Sequence, residues 1–461
     1  MKSPLTIAAL FAVACAGFVA ARSLKAEPDR LRLIIETDAG GDPDDEQSLV
    51  RFLLYSSEFD VQGIIANRAH ARDGENENTE RTGLGIVRRQ LEAYEQCYAN
   101  LVQNDPRYPT PAALRRVTVA GYDDVEDGVQ RIIAAVDADD PRPLWYGDWG
   151  TDHGAAKNCL WRALDQVLRE RGPEGYARFK GRLRLASNDF FGPHTYEIAP
   201  PFPLWVDTFE PELAGRRWYH QFSRLTATAG GFDLERDVRT GHGPLGALYP
   251  TNTTHKQKEG DTMSFLYLVP TGMNDPERPA WGSWAGRYGH RGDQAERNYY
   301  WADVADAWHS SSSRENTLER WAADLQNDFR ARLDWCVLPP TEANHPPRVV
   351  VNGETALAPQ TIAVPPGEQI ALDAGTTTDP DGDALEFTWF EYPEAGSYRG
   401  RERLAETRGA RLPFLVPADL GSAELHLMLR VADEGEPPLT RYRRVVIKSS
   451  AAPEARAAKG P

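Results

Sequence analysis

With 461 residues, the chain is longer than one ordinary hydrophobic core serves, so two or more domains are expected. Hydrophobic content of 41% and charged content of 26% exclude a disordered or collagen-like chain. A formal net charge of −16 excludes the basic footprint that nucleic-acid phosphate demands and leaves neutral sugars, small molecules and cations as partners.

Residues 1–26 read as an export signal. Lys2 opens it, Leu5 to Ala21 is an apolar run, and Val19-Ala20-Ala21 or Leu24-Lys25-Ala26 offers a cleavage site. The run is shorter than the roughly 20 apolar residues that span a bilayer, and no later segment supplies a span. A periplasmic or extracellular chain is therefore expected. A lipid anchor on Cys15 is the weaker option, because Ala12 stands where a large aliphatic residue is usual. Cys97, Cys159 and Cys336 remain after cleavage, which permits one bridge or three buried thiols and gives no zinc pattern.

Residues 30–338 alternate short apolar strands with helical periodicity, the signature of an α/β domain with an open, mostly parallel sheet. Strands are expected at Leu31 to Ile35, Val61 to Ala66, Leu144 to Gly147 and Arg182 to Ser187. Helices are expected after Leu49, along Leu84 to Leu101, through Leu160 and Leu164, and from Leu318 to Leu333. The proline-rich stretch 339–347 reads as a linker. Beyond it, 348–449 shows short strands and turn residues without helical periodicity, which predicts a small all-β, immunoglobulin-like sandwich. Strands are expected at Arg348 to Val351, Gln369 to Leu372, Leu385 to Phe390, Leu425 to Val431 and Tyr442 to Ile447. Residues 450–461 read as a disordered tail.

The first strand ends in TDAGGDPDD, which gathers Asp38, Asp42, Asp44 and Asp45 in one glycine-broken loop before a helix. Close carboxylates repel unless solvent, protons or a cation neutralise them. An acidic helix start accounts for one or two of the four, since negative charge is favoured there by about 0.3–1 kcal/mol. A hard divalent cation, which in calcium's case takes about six to eight oxygens, accounts for all of them. The carboxyl edge of an open α/β sheet is also where ligands bind.

That loop resembles the D-x-D-x-G-x-D-D signature of the nucleoside hydrolases. The longer stretches GDPDDEQSLVRFLLYSSEFDVQGII, GHGPLGALYP and EGDTMSFLYLVPTGMNDPERPAWGSWAGRYG resemble cellulose-binding proteins with a nucleoside-hydrolase-like N-terminal domain and a β-sandwich C-terminal domain. The resemblance implies calcium as cofactor. It makes Asp38 a metal contact and the base that takes a proton from the attacking water, Asp44 the holder of a sugar hydroxyl, and Asp45 the two-oxygen calcium ligand. Asp261 in EGDTMSF would complete the metal site, or cap a helix starting at Met263, and a main-chain carbonyl near Gly150 or Thr151 would add a ligand. Asn188 in ASNDFFG is the loose counterpart of the asparagine that steadies the ribose, and Asp189 beside it is a candidate acid.

The pattern also departs from the family. Glu36 stands at the leading aspartate, the loop is one residue longer, and Gly260 replaces the histidine that would protonate a leaving base. His194, His242 and His255 are elsewhere in the chain. Trp281, Trp284, Arg287 and Tyr288 form either a sugar-stacking platform, with Trp284 as its substrate contact, or packing beneath a glycine-rich loop. Trp145, Tyr146, Trp149 and His153 pose the same alternative. Asp379, Asp381 and Asp383 read as a turn between strands, with a structural calcium as the lesser option. Trp389, Tyr392 and Tyr398 read as core aromatics before they read as a carbohydrate face. The expected function is an exported, calcium-dependent hydrolase of N-glycosyl (nucleoside-like) or related glycosidic bonds. Its alternative is a non-catalytic binder of cellulose or another polysaccharide.

Overall fold

A computed structural model describes residues 30–72, 80–122, 125–150, 158–187, 222–251, 257–290, 300–302, 304–400 and 404–450. The expected export signal with Cys15, the tail beyond 450, and Thr151, His153, Asn188, Asp189, His194 and His255 lie outside the described residues.

Strand β1 (Leu31–Thr37) is buried along nearly its whole length, as expected of a central strand covered on both faces. It is followed by α1 (Pro43–Tyr55), β2 (Phe59–Ala66), α2 (Gly83–Asn104), α3 (Pro111–Val117), β3 (Thr118–Ala120), α4 (Asp127–Asp137), β4 (Leu144–Asp148), α5 (Cys159–Gly181) and β5 (Leu183–Ser187). Among the described residues the five strands form one parallel sheet in the order β3-β2-β1-β4-β5. Leu33 and Ile35 point into the core shared with α1 and α2, whereas Ile34 points into the one shared with α4 and α5. The period-2 alternation of β1 thus feeds two helix layers. Strand order reverses between β1 and β4, so their carboxyl ends frame the switch-point crevice.

The expected helix from Leu318 to Leu333 is two pieces, a short turn Asn316–Glu319 and α6 (Ala322–Asp334). Between them Trp321 is buried with its ring 5.4 Å from Tyr442 and 6.0 Å from Tyr392, both in the C-terminal domain. The sandwich contains β6 (Gln360–Val364), β7 (Gln369–Asp373), β8 (Leu385–Glu391), β9 (Thr407–Arg408), β10 (Arg411–Leu415), β11 (Glu424–Asp433) and β12 (Thr440–Ser449). One sheet has the order β6-β12-β11-β8-β9, and β7 pairs with β10 against it. The stretch Arg348 to Val351 makes isolated bridges rather than a strand, because Asn352 and Gly353 adopt positive φ and turn the chain back. Trp389, Tyr392 and Tyr398 are buried, so they are core aromatics and present no carbohydrate face.

The two domains share one hydrophobic core, in which Tyr392, Met428 and Tyr442 join the α/β residues. The backbone N–H groups of Tyr442 and Arg444 donate to Thr271 and Gly272 carbonyls at 2.9 and 3.0 Å. Gly272 lets the sandwich approach, since a Cβ there would sit 1.9 Å from the Tyr442 carbonyl oxygen. Arg441 pairs with Asp328 at 2.8 Å and Arg430 with Asp324 at 2.6 Å. The expected linker 339–347 is a packed strap: Ala343 and Asn344 are buried, Trp335 Nε1 donates to the Asn344 carbonyl at 2.9 Å, and His345 stacks on Trp335. Its prolines set direction, and the buried polar contacts hold it down.

Candidate functional site

The site lies where β1 ends. Gly40 takes φ +94°, a conformation that side chains resist, and turns the loop. Gly41 serves a different purpose, because a Cβ on it would stand 2.6 Å from the Arg68 guanidinium. Arg68, just past β2, lies over this glycine and clasps Asp38. Its Nη2 donates to Asp38 Oδ2 at 2.8 Å and its Nε to the Asp38 carbonyl at 2.9 Å. Asp42 occupies the start of α1 without capping it and is ion-paired with Lys258 instead. Two of the loop's four carboxylates are thus neutralised by protein cations.

The other two are not. Asp45 is buried, with Oδ1 accepting from Thr37 Oγ1 at 2.5 Å and from the Asp38 N–H at 3.0 Å. Asp44, Asp45 and Asp261 each place a carboxylate oxygen within 4.8 Å of the others. Burial, and then the charges of Asp261, Asp38 and Asp44, push the Asp45 carboxyl well above the usual range. Burial and the charge of Asp42 push Asp44 up to about 7, against the pull of Lys258. Three crowded oxygen donors in a desolvated crevice fit a hard divalent cation of the calcium kind.

Asp261 arrives there through polar residues of α1. Gln47 Oε1 accepts from the Lys258 N–H at 2.6 Å, and the Ser48 and Thr262 hydroxyls are 3.1 Å apart. Arg51, fully buried, donates to Glu259 Oε1 at 3.1 Å while its guanidinium lies 3.6 Å from the centre of the Phe329 ring. Glu259 also accepts from Tyr249, Gln257 and Thr262. From the β4 side, Trp149 Nε1 donates to Ser264 Oγ at 2.7 Å, and that hydroxyl donates to the Asp261 carbonyl at 2.8 Å. The helix beginning at Met263 spans only Met263–Leu266 and has no side-chain cap, so the capping alternative for Asp261 is not realised.

Asp38 borders Asp45 without joining the three carboxylates that lie mutually within 4.8 Å, and Asp44, which the resemblance gave to a sugar hydroxyl, is one of those three. Thr151 and Asn188 lie outside the described residues, but the neighbouring Gly150 carbonyl accepts from Asn67 Nδ2 at 2.9 Å. Trp284 is corrected from substrate contact to packing. It is 1% exposed and has Arg441 of the sandwich 5.9 Å from its ring centre. Trp145 and Trp149 are likewise buried, and Tyr146 donates to Glu36. Glu36 itself is a buried polar hub whose carboxyl is raised by burial and held by Tyr146, Asn67 and the Cys159 N–H. His242 pairs with Asp334 at 3.0 Å, at the end of α6.

Sequence reasoning missed Arg68 and the Arg51–Glu259 pair. The available signals were an arginine just past the second strand, and a glutamate two residues before Asp261.

An open parallel sheet with an aspartate cluster at its switch point, joined to a β-sandwich, defines a nucleoside-hydrolase-like protein. Residues 32–288 match the nucleoside hydrolase-like domain of cellulose-binding Sde182, and residues 369–449 match the C-terminal domain of cellulose-binding protein Sde0182. The chain belongs to this family. A solved structure of a nucleoside hydrolase-related hypothetical protein from Saccharophagus degradans, associated with carbohydrate metabolism, is 31% identical. The alignment covers 91% of this chain and 100% of that one, with a TM-score of 0.71. No curated protein matches the chain. Among the described residues no helix is long and apolar enough to cross a membrane.

Proposed function

We propose that the protein is an exported polysaccharide binder, with cellulose as its first candidate ligand. In this reading its nucleoside-hydrolase-like domain keeps calcium at Asp44, Asp45 and Asp261 without the full hydrolytic apparatus. The observation that carries this reading is the Arg68 clasp. Asp38 Oδ2 already accepts from Arg68 Nη2 at 2.8 Å, so the carboxylate that the hydrolase pattern uses as base is engaged by a protein cation, which competes with an attacking water for it. Gly260 offers no side chain at the position where the hydrolases carry the histidine that protonates a leaving base. Asp44, partly buried at the crevice, presents acceptor oxygens to the hydroxyls of a neutral sugar. Calcium, when bound, would cancel the repulsion within the trio and offer further coordination to hydroxyl oxygens. The cellulose-binding description of the family supports the ligand class.

A second reading, hydrolysis of N-glycosyl or related glycosidic bonds, is favoured by the trio itself, which follows the hydrolase pattern at Asp45 and Asp261. It requires Asp38 to leave Arg68 when substrate enters. The discriminating experiment pairs retention on insoluble cellulose, with calcium or chelator, with product release from a panel of nucleosides and glycosides. Chelator-sensitive retention without product is expected. Product made by the wild type and lost in Asp38→Ala, with retention unchanged, would replace the binding reading with the catalytic one.

A further inference from the structure

Cys97 lies on α2, and Cys336 lies just past α6, at the far end of the α/β domain. Both are buried. The positive-φ Gly243 packs against the pair: a Cβ built on it would be 3.5 Å from Cys97 Sγ and 3.7 Å from Cys336 Cβ. Farther along α2, Asn100 Nδ2 donates to the Cys336 carbonyl at 3.1 Å and Asn104 Nδ2 to the Leu338 carbonyl at 3.1 Å, so the two backbones are docked side by side. Cys336 Sγ lies 3.8 Å from the Arg332 carbonyl, and the two thiols are close enough to influence one another, Cys97 held below the usual thiol range and Cys336 above it. Cys159 belongs to the other core, with its Sγ directed to the Gly121 carbonyl at 3.3 Å.

We propose that Cys97 and Cys336 are joined as a disulfide when the chain folds in an oxidising compartment. The oxidant is an exchangeable disulfide, represented in vitro by oxidised glutathione. The Cys97 thiolate attacks it, forming a mixed disulfide and expelling one glutathione thiolate. The Cys336 thiolate then attacks the Cys97 sulfur and expels the second. Each expelled thiolate takes up one of the two protons released, and the oxidant gains the two electrons. Because both sulfurs are buried in the folded chain, the bond forms before the core closes and is afterwards shielded from reductant. It ties the long helix α2 to the segment that leads into the sandwich. The inference stands independently of the sugar-binding reading.

The full mature chain, refolded in a mixture of reduced and oxidised glutathione and alkylated in denaturant, tests it. Non-reducing tryptic digestion should yield residues 90–107 joined to 333–348, with Cys159 alkylated, and reductant should separate the two peptides. Cys159→Ser should leave the linked peptide unchanged. Reduction in denaturant before refolding should lower the wild-type melting temperature by several degrees, and the same treatment should leave Cys336→Ser unmoved. Full alkylation of Cys97 and Cys336 after oxidative refolding, or a link from either to Cys159, overturns the proposal.

Discussion

Two acidic clusters of similar composition behave differently. In the sandwich, Asp379, Asp381 and Asp383 come from one turn and remain partly or fully exposed. That turn neutralises itself: Asp379 Oδ1 accepts from the N–H groups of Asp381, Gly382 and Asp383, and Asp381 accepts from the N–H and ring of His345. In the α/β domain, Asp44 and Asp45 are pressed against Asp261 from a distant part of the chain, in a crevice largely closed to solvent. Proximity of carboxylates alone does not make a cation site. The proposed cation site in the α/β domain adds desolvation and crowding from a distant part of the chain.

The difference breaks most sharply if the long-range half is dismantled. Arg51→Met leaves Glu259 buried without its ion pair, which should cost about 3–5 kcal/mol. It should also abolish any calcium response, since Glu259 holds the segment that carries Asp261. Denaturant unfolding with and without calcium checks both effects. Next in size is Asp45→Asn. Calcium at about 100 times its dissociation constant should stabilise the wild type by about 2.7 kcal/mol, and the variant not at all. Metal-free, the variant should be the more stable protein, because a neutral amide removes the cost of a buried carboxyl crowded by Asp261, Asp38 and Asp44.

A pH series sharpens the contrast further. Asp44 is raised from 3.8 to about 7 in the folded chain, so between those values the folded state holds a proton that the unfolded state has released. Metal-free stability is therefore fully present below about pH 4 and declines as pH rises to 7, by at most about 1.4 kcal/mol per pH unit from this group. Calcium should flatten that decline, and chemical denaturation from pH 4.5 to 7.5 in chelator and in calcium measures it. Smallest is Asp381→Asn, which should change stability by under about 1 kcal/mol and leave the calcium response intact, because this carboxylate lies in a surface turn away from the trio.

Elements whose signal is periodic apolar residues were legible. β1, β2, β4, β5, α2 and the main strands of the sandwich lie within a few residues of expectation. The misses have different causes. β3 is only three residues long, α4 carries a clear i, i+3, i+4, i+7 apolar pattern at Val129, Ile132, Ile133 and Val136 that the expected helices omit, and the break before α6 follows from Trp321 docking into another domain. The strap at 339–347 reads as a tether because prolines speak of backbone stiffness and say nothing of the partners that bury it. Trp284 was equally open to two readings, and the sandwich that covers it decided between them.

By itself, the sequence determined that an acidic, glycine-broken loop closes the first strand of a parallel sheet, and that Asp261 belongs with it by resemblance. Loop chemistry and strand periodicity are local properties, written in neighbouring residues. Only the tertiary structure decided which carboxylates are spent on Arg68 and Lys258 and which remain crowded together. Charge compensation depends on distance through space and on exclusion of water, and neither is encoded in the spacing of residues along the chain.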